Sequence, residues 1–178
     1  MKKRLDVKYV TLCAMLIAMS VVIGIFCKSV LNFGGGLFRI TFENLPIIIS
    51  GIIFGPLMGA VVGLASDLIS YLLSGQAYPL NLVVTVGAMS VGLISGLVSR
   101  FVIRKRGRLQ IIVSAAAAHI VGSMIIKPIG LFAFYQWAVL WRIPLYLIIA
   151  PLEILVICLL YSKSGFRRLV DGYGREDL

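Results

Sequence analysis

The sequence predicts an all-α integral membrane protein of six transmembrane helices, with the N- and C-termini both in the cytoplasm. Three observations lead there. The 178-residue chain is 60% hydrophobic, with a mean hydropathy of +1.03. Only 13% of it is charged, against about 25% in soluble domains, so half of the expected water-facing surface is missing. Thirteen of its 17 lysines and arginines also fall in three clusters, each bordering an apolar run. These are Lys2, Lys3, Arg4 and Lys8; Arg100, Arg104, Lys105, Arg106 and Arg108; and Lys163, Arg167, Arg168 and Arg175. Cytoplasmic loops carry such an excess under the positive-inside rule. The net charge of +10 is therefore a mark of topology, and no nucleic-acid partner is expected. The length suits one domain, residues 1–178, with no linker or low-complexity tract.

The spans follow in order. Residues 9–26 are uncharged and lack a small-residue cleavage site before Lys28, so they read as a retained span and not a signal peptide. Residues 80–99, 109–126 and 143–161 are each close to the roughly 20 residues that cross about 30 Å of hydrocarbon. The stretch 41–74 is harder. As one helix it would be about 51 Å long, too long for one crossing and short for two. Parity decides: one crossing there puts Arg104, Lys105 and Arg106 outside, whereas two bring all three basic clusters to one side. Gly55-Pro56 is suited to the turn, with Gly past one helix end and Pro opening the next. Two short helices over 41–54 and 57–74 are expected.

The outer side then comprises 28–40, 75–79 and 127–142. It is rich in rings: Phe33, Phe38, Phe42, Tyr78, Phe132, Phe134, Tyr135, Trp137 and Trp141. An interfacial aromatic belt and a stacking surface for a flat ligand are both open readings. Catalytic patterns are missing. The lone His119 has no metal-ligating or catalytic companion at a recognised spacing, no P-loop is present, and neither an enzyme nor a metal or cofactor site is expected. Cys13, Cys27 and Cys158 lie in or beside apolar runs without C-x-x-C spacing, so they read as buried small hydrophobes.

Charges inside the spans are more informative, because a bare charge at mid-bilayer costs at least about 2.5–3.5 kcal/mol. Asp67 and Glu153 must therefore face the bundle interior with partners. Asp67 has Arg142 and Lys127 as outward candidates, and ion pair and ligand contact both stand open. Glu153 reads as structural, and His119 as bonded to a neighbouring helix. At the start of the second helix, Phe38-Arg39-Ile40-Thr41-Phe42-Glu43-Asn44 sets polar groups at a helix N-terminus. Gly34-Gly35-Gly36 upstream supplies a flexible connector. Facing ends add Tyr71, Gln76, Tyr78, Asn81, Thr85 and Arg142. A concave, aromatic-lined, sparsely polar site of this kind suits a small molecule. Small residues form a second pattern: Ala14 and Ala18, continued by Ser20 and Gly24, then Gly59, Gly63 and Ser66, and Gly92 and Gly96. Such stripes let helices approach closely in lipid.

The run Phe42-Glu43-Asn44-Leu45-Pro46-Ile47-Ile48-Ile49-Ser50-Gly51-Ile52-Ile53-Phe54-Gly55-Pro56-Leu57 resembles the substrate-binding S components of energy-coupling factor (ECF) vitamin transporters. The likeness continues through Gly59-Ala60-Val61-Val62-Gly63, Asp67, and Arg142-Ile143-Pro144 to Pro151, and is nearest to the folate-type members. The chain departs from those members at 124–130, where they often carry an Asn-Thr-x-Trp-like stretch. The resemblance implies capture of a vitamin, folate first, at the outer face of the bacterial plasma membrane. It also implies transport driven by a coupling transmembrane subunit and two ATPase subunits, with Ala14 and Ala18 as the docking surface. Substrate contacts are then expected from Phe38, Arg39, Phe42, Glu43, Asp67, Tyr71, Tyr78, Asn81, Lys127 and Arg142. Riboflavin, thiamine or pantothenate is the alternative ligand, and a small membrane enzyme the alternative class.

Overall fold

The structure, a computed structural model, describes residues 7–33, 38–73, 81–103 and 107–173, with backbone only at 32–33, 38–39, 133–135, 138, 141–143 and 173. It is helical apart from one small hairpin. Helix α1 (Val7–Val30) is followed by strands β1 (Asn32–Phe33) and β2 (Phe38–Arg39), which pair antiparallel. Helices α2 (Asn44–Phe54), α3 (Pro56–Leu73) and α4 (Leu82–Leu97) follow, the last ending in a π-helical turn, Val98–Val102. One long helical run then comprises α5 (Arg108–Ala118), a π segment (His119–Ile126) and α6 (Lys127–Tyr135). A 3-10 turn (Gln136–Trp141) leads into α7 (Arg142–Ser162), and α8 (Ser164–Tyr173) closes the described chain. Among the described residues, five helices are long and apolar enough to cross a membrane, and α2 is a shorter apolar helix.

Six crossings are what the contacts show. At one end of the bundle the rings of Tyr9 and Phe54 meet at 4.5 Å, and Arg100 Nη2 donates to the Phe54 carbonyl at 2.8 Å. There too Gln110 Nε2 donates to the Ser99 carbonyl at 2.7 Å, and Arg108 Nη2 to Ser162 Oγ at 3.4 Å. The described members of all three basic clusters thus share one end, which the positive-inside rule assigns to the cytoplasm. The α2–α3 joint is as tight as the split required: Gly55 has φ 91°, a left-handed value that side chains disfavour, and Pro56 opens α3.

Helix α2 sits at the centre. All eleven of its residues are buried, and it touches α1, α3, α4, α5, α7 and α8. It begins at Asn44 and not at 41, and Pro46 is the reason. Proline is tolerated in a first helical turn but not inside, where its missing N–H and its ring would break the ladder. At about 1.5 Å per residue α2 is only about 16 Å long. Non-helical residues 40–43 complete its crossing, which is allowed where such backbone is buried in protein or lines a cavity; Thr41 is 3% exposed.

The stretch 127–142 is likewise helical where a loop was expected. The helix runs through Pro128 because the π segment precedes it: the Lys127 N–H bonds the Gly122 carbonyl, five residues back. A widened turn of this kind absorbs the hydrogen bond and the space that proline denies. Between α3 and α4 the expected small stripes meet. A Cβ on Gly59 would overlap the Gly92 carbonyl, and one on Gly92 the Gly59 carbonyl, so the two backbones touch directly. In lipid, where apolar surface gains nothing by leaving the solvent, such close packing holds helices together. Cys13 and Cys27 are buried and Cys158 half-buried, all as free thiols.

Candidate functional site

A polar cup opens at the end of the bundle opposite the three basic clusters. Its floor is the start of α2, where residues 40–43 leave the helix unwound and Glu43 and Asn44 point into the bundle. Lys127 reaches them from α6: its Nζ donates to Asn44 Oδ1 at 2.8 Å and lies 3.5 Å from Glu43 Oε1. Asn44 Nδ2 in turn donates to Ser123 Oγ at 3.3 Å, and Ser20 Oγ on α1 donates to the Glu43 carbonyl at 2.7 Å. Lys127, Glu43 and Asn44 thereby link α6, the start of α2, the π segment and α1. Lys127 is 4% exposed, and a cation so far from water persists only with paired, hydrogen-bonded neighbours.

Across the cup, Asp67 on α3 accepts a hydrogen bond from Thr85 Oγ1 on α4 at 2.7 Å. Asp67 thus meets a hydroxyl, and Lys127, one of its two candidate cations, goes to Glu43. Ser20, Glu43, Ile47, Ser66, Asp67, Ser70, Ala88 and Lys127 line a cavity of only about 10 Å³, room for about one water molecule. Small-molecule sites usually run to roughly 300–1,000 Å³, so this cup is contracted and must widen to admit a ligand. Among the described residues, Glu43, Asp67 and Lys127 are the ionisable groups that line it.

Two glycines make room here. The stem of Lys127 passes over Gly87, where a Cβ would come within 2.6 Å of Lys127 Cγ. On α1, a Cβ on Gly24 would lie 3.0 Å from Glu43 Oε2. The small stripe of α1 is thus two surfaces: Ser20 and Gly24 face the cup, whereas Ala14 and Ala18 are exposed on the outside of the bundle.

The other expected residues distribute as follows. Phe42 and Tyr71 are half-buried near the cup's elements. Asn81 caps α4, its Oδ1 accepting from the Val83 and Val84 N–H groups and its Nδ2 donating to the Gly130 carbonyl; it clamps α4 to α6. Phe38 and Arg39 form β2, and Arg142 opens α7, with side chains outside the described atoms. Gly34, Gly35, Gly36, Gln76 and Tyr78 lie outside the described residues. Phe132 and Trp137 pack edge to face at 5.6 Å, both exposed, as members of an interfacial belt. Among the described residues no cluster of His, Cys, Asp or Glu could hold a metal.

A second polar contact lies deeper. His119 Nε2 is 2.7 Å from Glu153 Oε2, and both side chains are 1% exposed or less. From Arg108, His119 is about 16 Å along its helix, and Glu153 is about 14 Å from Ser162 at the end of α7. The two lengths agree on the middle of a 30 Å hydrocarbon layer. Each gives the other one close polar neighbour, while His119 Nδ1 and Glu153 Oε1 have no hydrogen-bond partner among the described residues. Ser123 and this pairing were not legible in sequence, since 123 is one of many serines and 119 and 153 are distant along the chain. The only signal was that a mid-span acid needs a partner and that one histidine was at hand.

Fold and cup together define a membrane-embedded, small-molecule-binding class of protein. A family model for the substrate-specific component of ECF transporters matches residues 8–167, and the chain belongs to that family. No curated protein matches it. Among solved structures, that of FolT bound with folic acid is similar in fold, with a TM-score of 0.67 at 21% identity, covering 85% of this chain and 90% of that one.

Proposed function

We propose that this chain captures a folate-type vitamin from outside the cell and delivers it to an ATP-driven coupling module. The observation that carries the reading is the Glu43–Lys127–Asn44 network beside Asp67, a sparsely polar cup opening away from the basic end. Two carboxylates suit the amino-substituted edge of a heteroaromatic ring, which offers hydrogen-bond donors, and charge-assisted bonds of this kind are roughly twice as strong as neutral ones. Phe38, Phe42, Tyr71 and Tyr78 supply rings for stacking around the mouth. Arg39 and Arg142 meet the carboxylates of the vitamin's far end, and Asn81 holds the rim in place. Widening of the contracted cup accompanies binding, and the 34–36 loop then closes over the vitamin.

Uptake then requires a coupling transmembrane subunit and two ATPase subunits. The exposed Ala14 and Ala18 on α1 offer a flat strip on which a partner helix can approach closely. Calorimetry with detergent-solubilised protein against folates, riboflavin, thiamine and pantothenate tests the ligand. Folate alone should give heat. Nanomolar binding of another vitamin with none of folate would replace folate while keeping the class, and thermal stability unmoved by every vitamin would remove the class.

A further inference from the structure

We infer that the inner end of α7, with α8 and the start of α5, forms a binding site for an anionic phospholipid of the cytoplasmic leaflet. Ile148, Leu152, Leu155 and Leu159 on α7 are exposed by 64, 47, 55 and 59%. Their spacing of four, three and four residues lays them on one helix face, a track for an acyl chain. The same face runs out into Ser162 and Lys163. There Arg108 reaches over from α5, its Nη2 3.4 Å from Ser162 Oγ. Arg167 and Arg168 follow on α8, both exposed.

Two of the cations, Arg108 and Arg167, have fixed neighbours. Helix α8 spends its apolar side on the bundle: Val170 is 4% exposed, and Phe166 packs on the same core cluster. This leaves its basic side turned outward at the level where the α7 span ends. Arg167 Cζ sits 5.9 Å from the Tyr161 ring centroid, which keeps the guanidinium beside α7. Against Arg108, Lys163, Arg167 and Arg168, one described acid lies close, Asp171, with Oδ2 3.8 Å from Arg167 Nε. A chain track ending in four cations and one acid complements a lipid whose head carries a phosphate and no compensating cation. Phosphatidylglycerol has that chemistry and phosphatidylcholine does not.

The test is native mass spectrometry of the intact protein released from nanodiscs containing equal amounts of phosphatidylglycerol and phosphatidylcholine. Wild type should retain phosphatidylglycerol preferentially, and raising the ionic strength before release should strip it, because salt screens such contacts. In the triple variant Lys163→Gln, Arg167→Gln, Arg168→Gln, retention should fall by about fivefold per lost cation, with vitamin affinity unchanged because the cup is at the opposite end. Equal retention of both lipids by wild type would overturn the inference. So would a triple variant that keeps the lipid, or one that loses only uptake, since the patch would then serve a protein partner. If the triple variant does not fold, the salt series on wild type decides alone: retention indifferent to salt would equally overturn it.

Discussion

Replacing Glu153 by leucine isolates the deepest polar contact in the bundle. In the wild type, His119 and Glu153 meet at 2.7 Å with side chains 1% exposed or less, in the middle of the membrane. The substitution leaves an imidazole in an apolar core without its partner. Removing one member of a buried pair typically destabilises by about 3–5 kcal/mol. At about 2–4 °C per kcal/mol for a chain of this length, the unfolding midpoint should fall by roughly 6–20 °C. The assay is thermal unfolding in detergent, followed by tryptophan fluorescence. The double variant His119→Leu, Glu153→Leu discriminates the cause. A pair of apolar side chains needs no partner there, and such replacements are often neutral or stabilising, so the double variant should recover most of the loss. A single variant as stable as wild type, or a double variant as damaged as the single, would refute the reasoning that the pair exists to neutralise two buried polar groups.

Four further outcomes are expected. Lys127→Met should weaken vitamin binding and lower stability by about 3 kcal/mol, since Glu43 and Asn44 lose their shared cation; calorimetry and unfolding read the two effects separately. Asp67→Asn keeps an acceptor for Thr85 but loses the charge, so affinity should fall by roughly 10- to 100-fold, the worth of about 1.5–3 kcal/mol for a hydrogen bond to a charged group, with the unfolding midpoint nearly unchanged. Gly92→Val should destabilise by about 1–3 kcal/mol, because α3 must retreat from α4; an unchanged midpoint would mean that the Gly59–Gly92 contact is dispensable. Ala14→Trp with Ala18→Trp should abolish uptake in cells while calorimetry of the purified protein stays unchanged, and lost affinity would mean that the two alanines pack inward.

The π segment at His119–Ile126 explains why several of these side chains act together. Lys127, directly before Pro128, would be expected at the membrane surface on a helix that had ended. Because the helix continues, His119, Ser123 and Lys127 recur every four residues on one face, and the wider turns keep that face toward α2 and α7. The same run thus supplies the mid-membrane pair and the cation of the cup.

What the sequence determined by itself is the part governed by the solvent. Lipid excludes charge and unsatisfied backbone, so the apolar runs, the basic clusters, the Gly55-Pro56 turn and the small stripes of α3 and α4 were readable one segment at a time. Family membership was readable too, because the Leu45-Pro46 to Gly55-Pro56 stretch is contiguous. Tertiary structure decided which groups answer one another. Asp67 meets Thr85 and not Lys127, Lys127 meets Glu43 and Asn44, and His119 meets Glu153. It also turned Ser20 and Gly24 toward the cup while leaving Ala14 and Ala18 outside, and folded α8 under the bundle. Each of those outcomes depends on the rotation of one helix against another. That rotation is set by packing between segments far apart in the chain, and no local pattern encodes it.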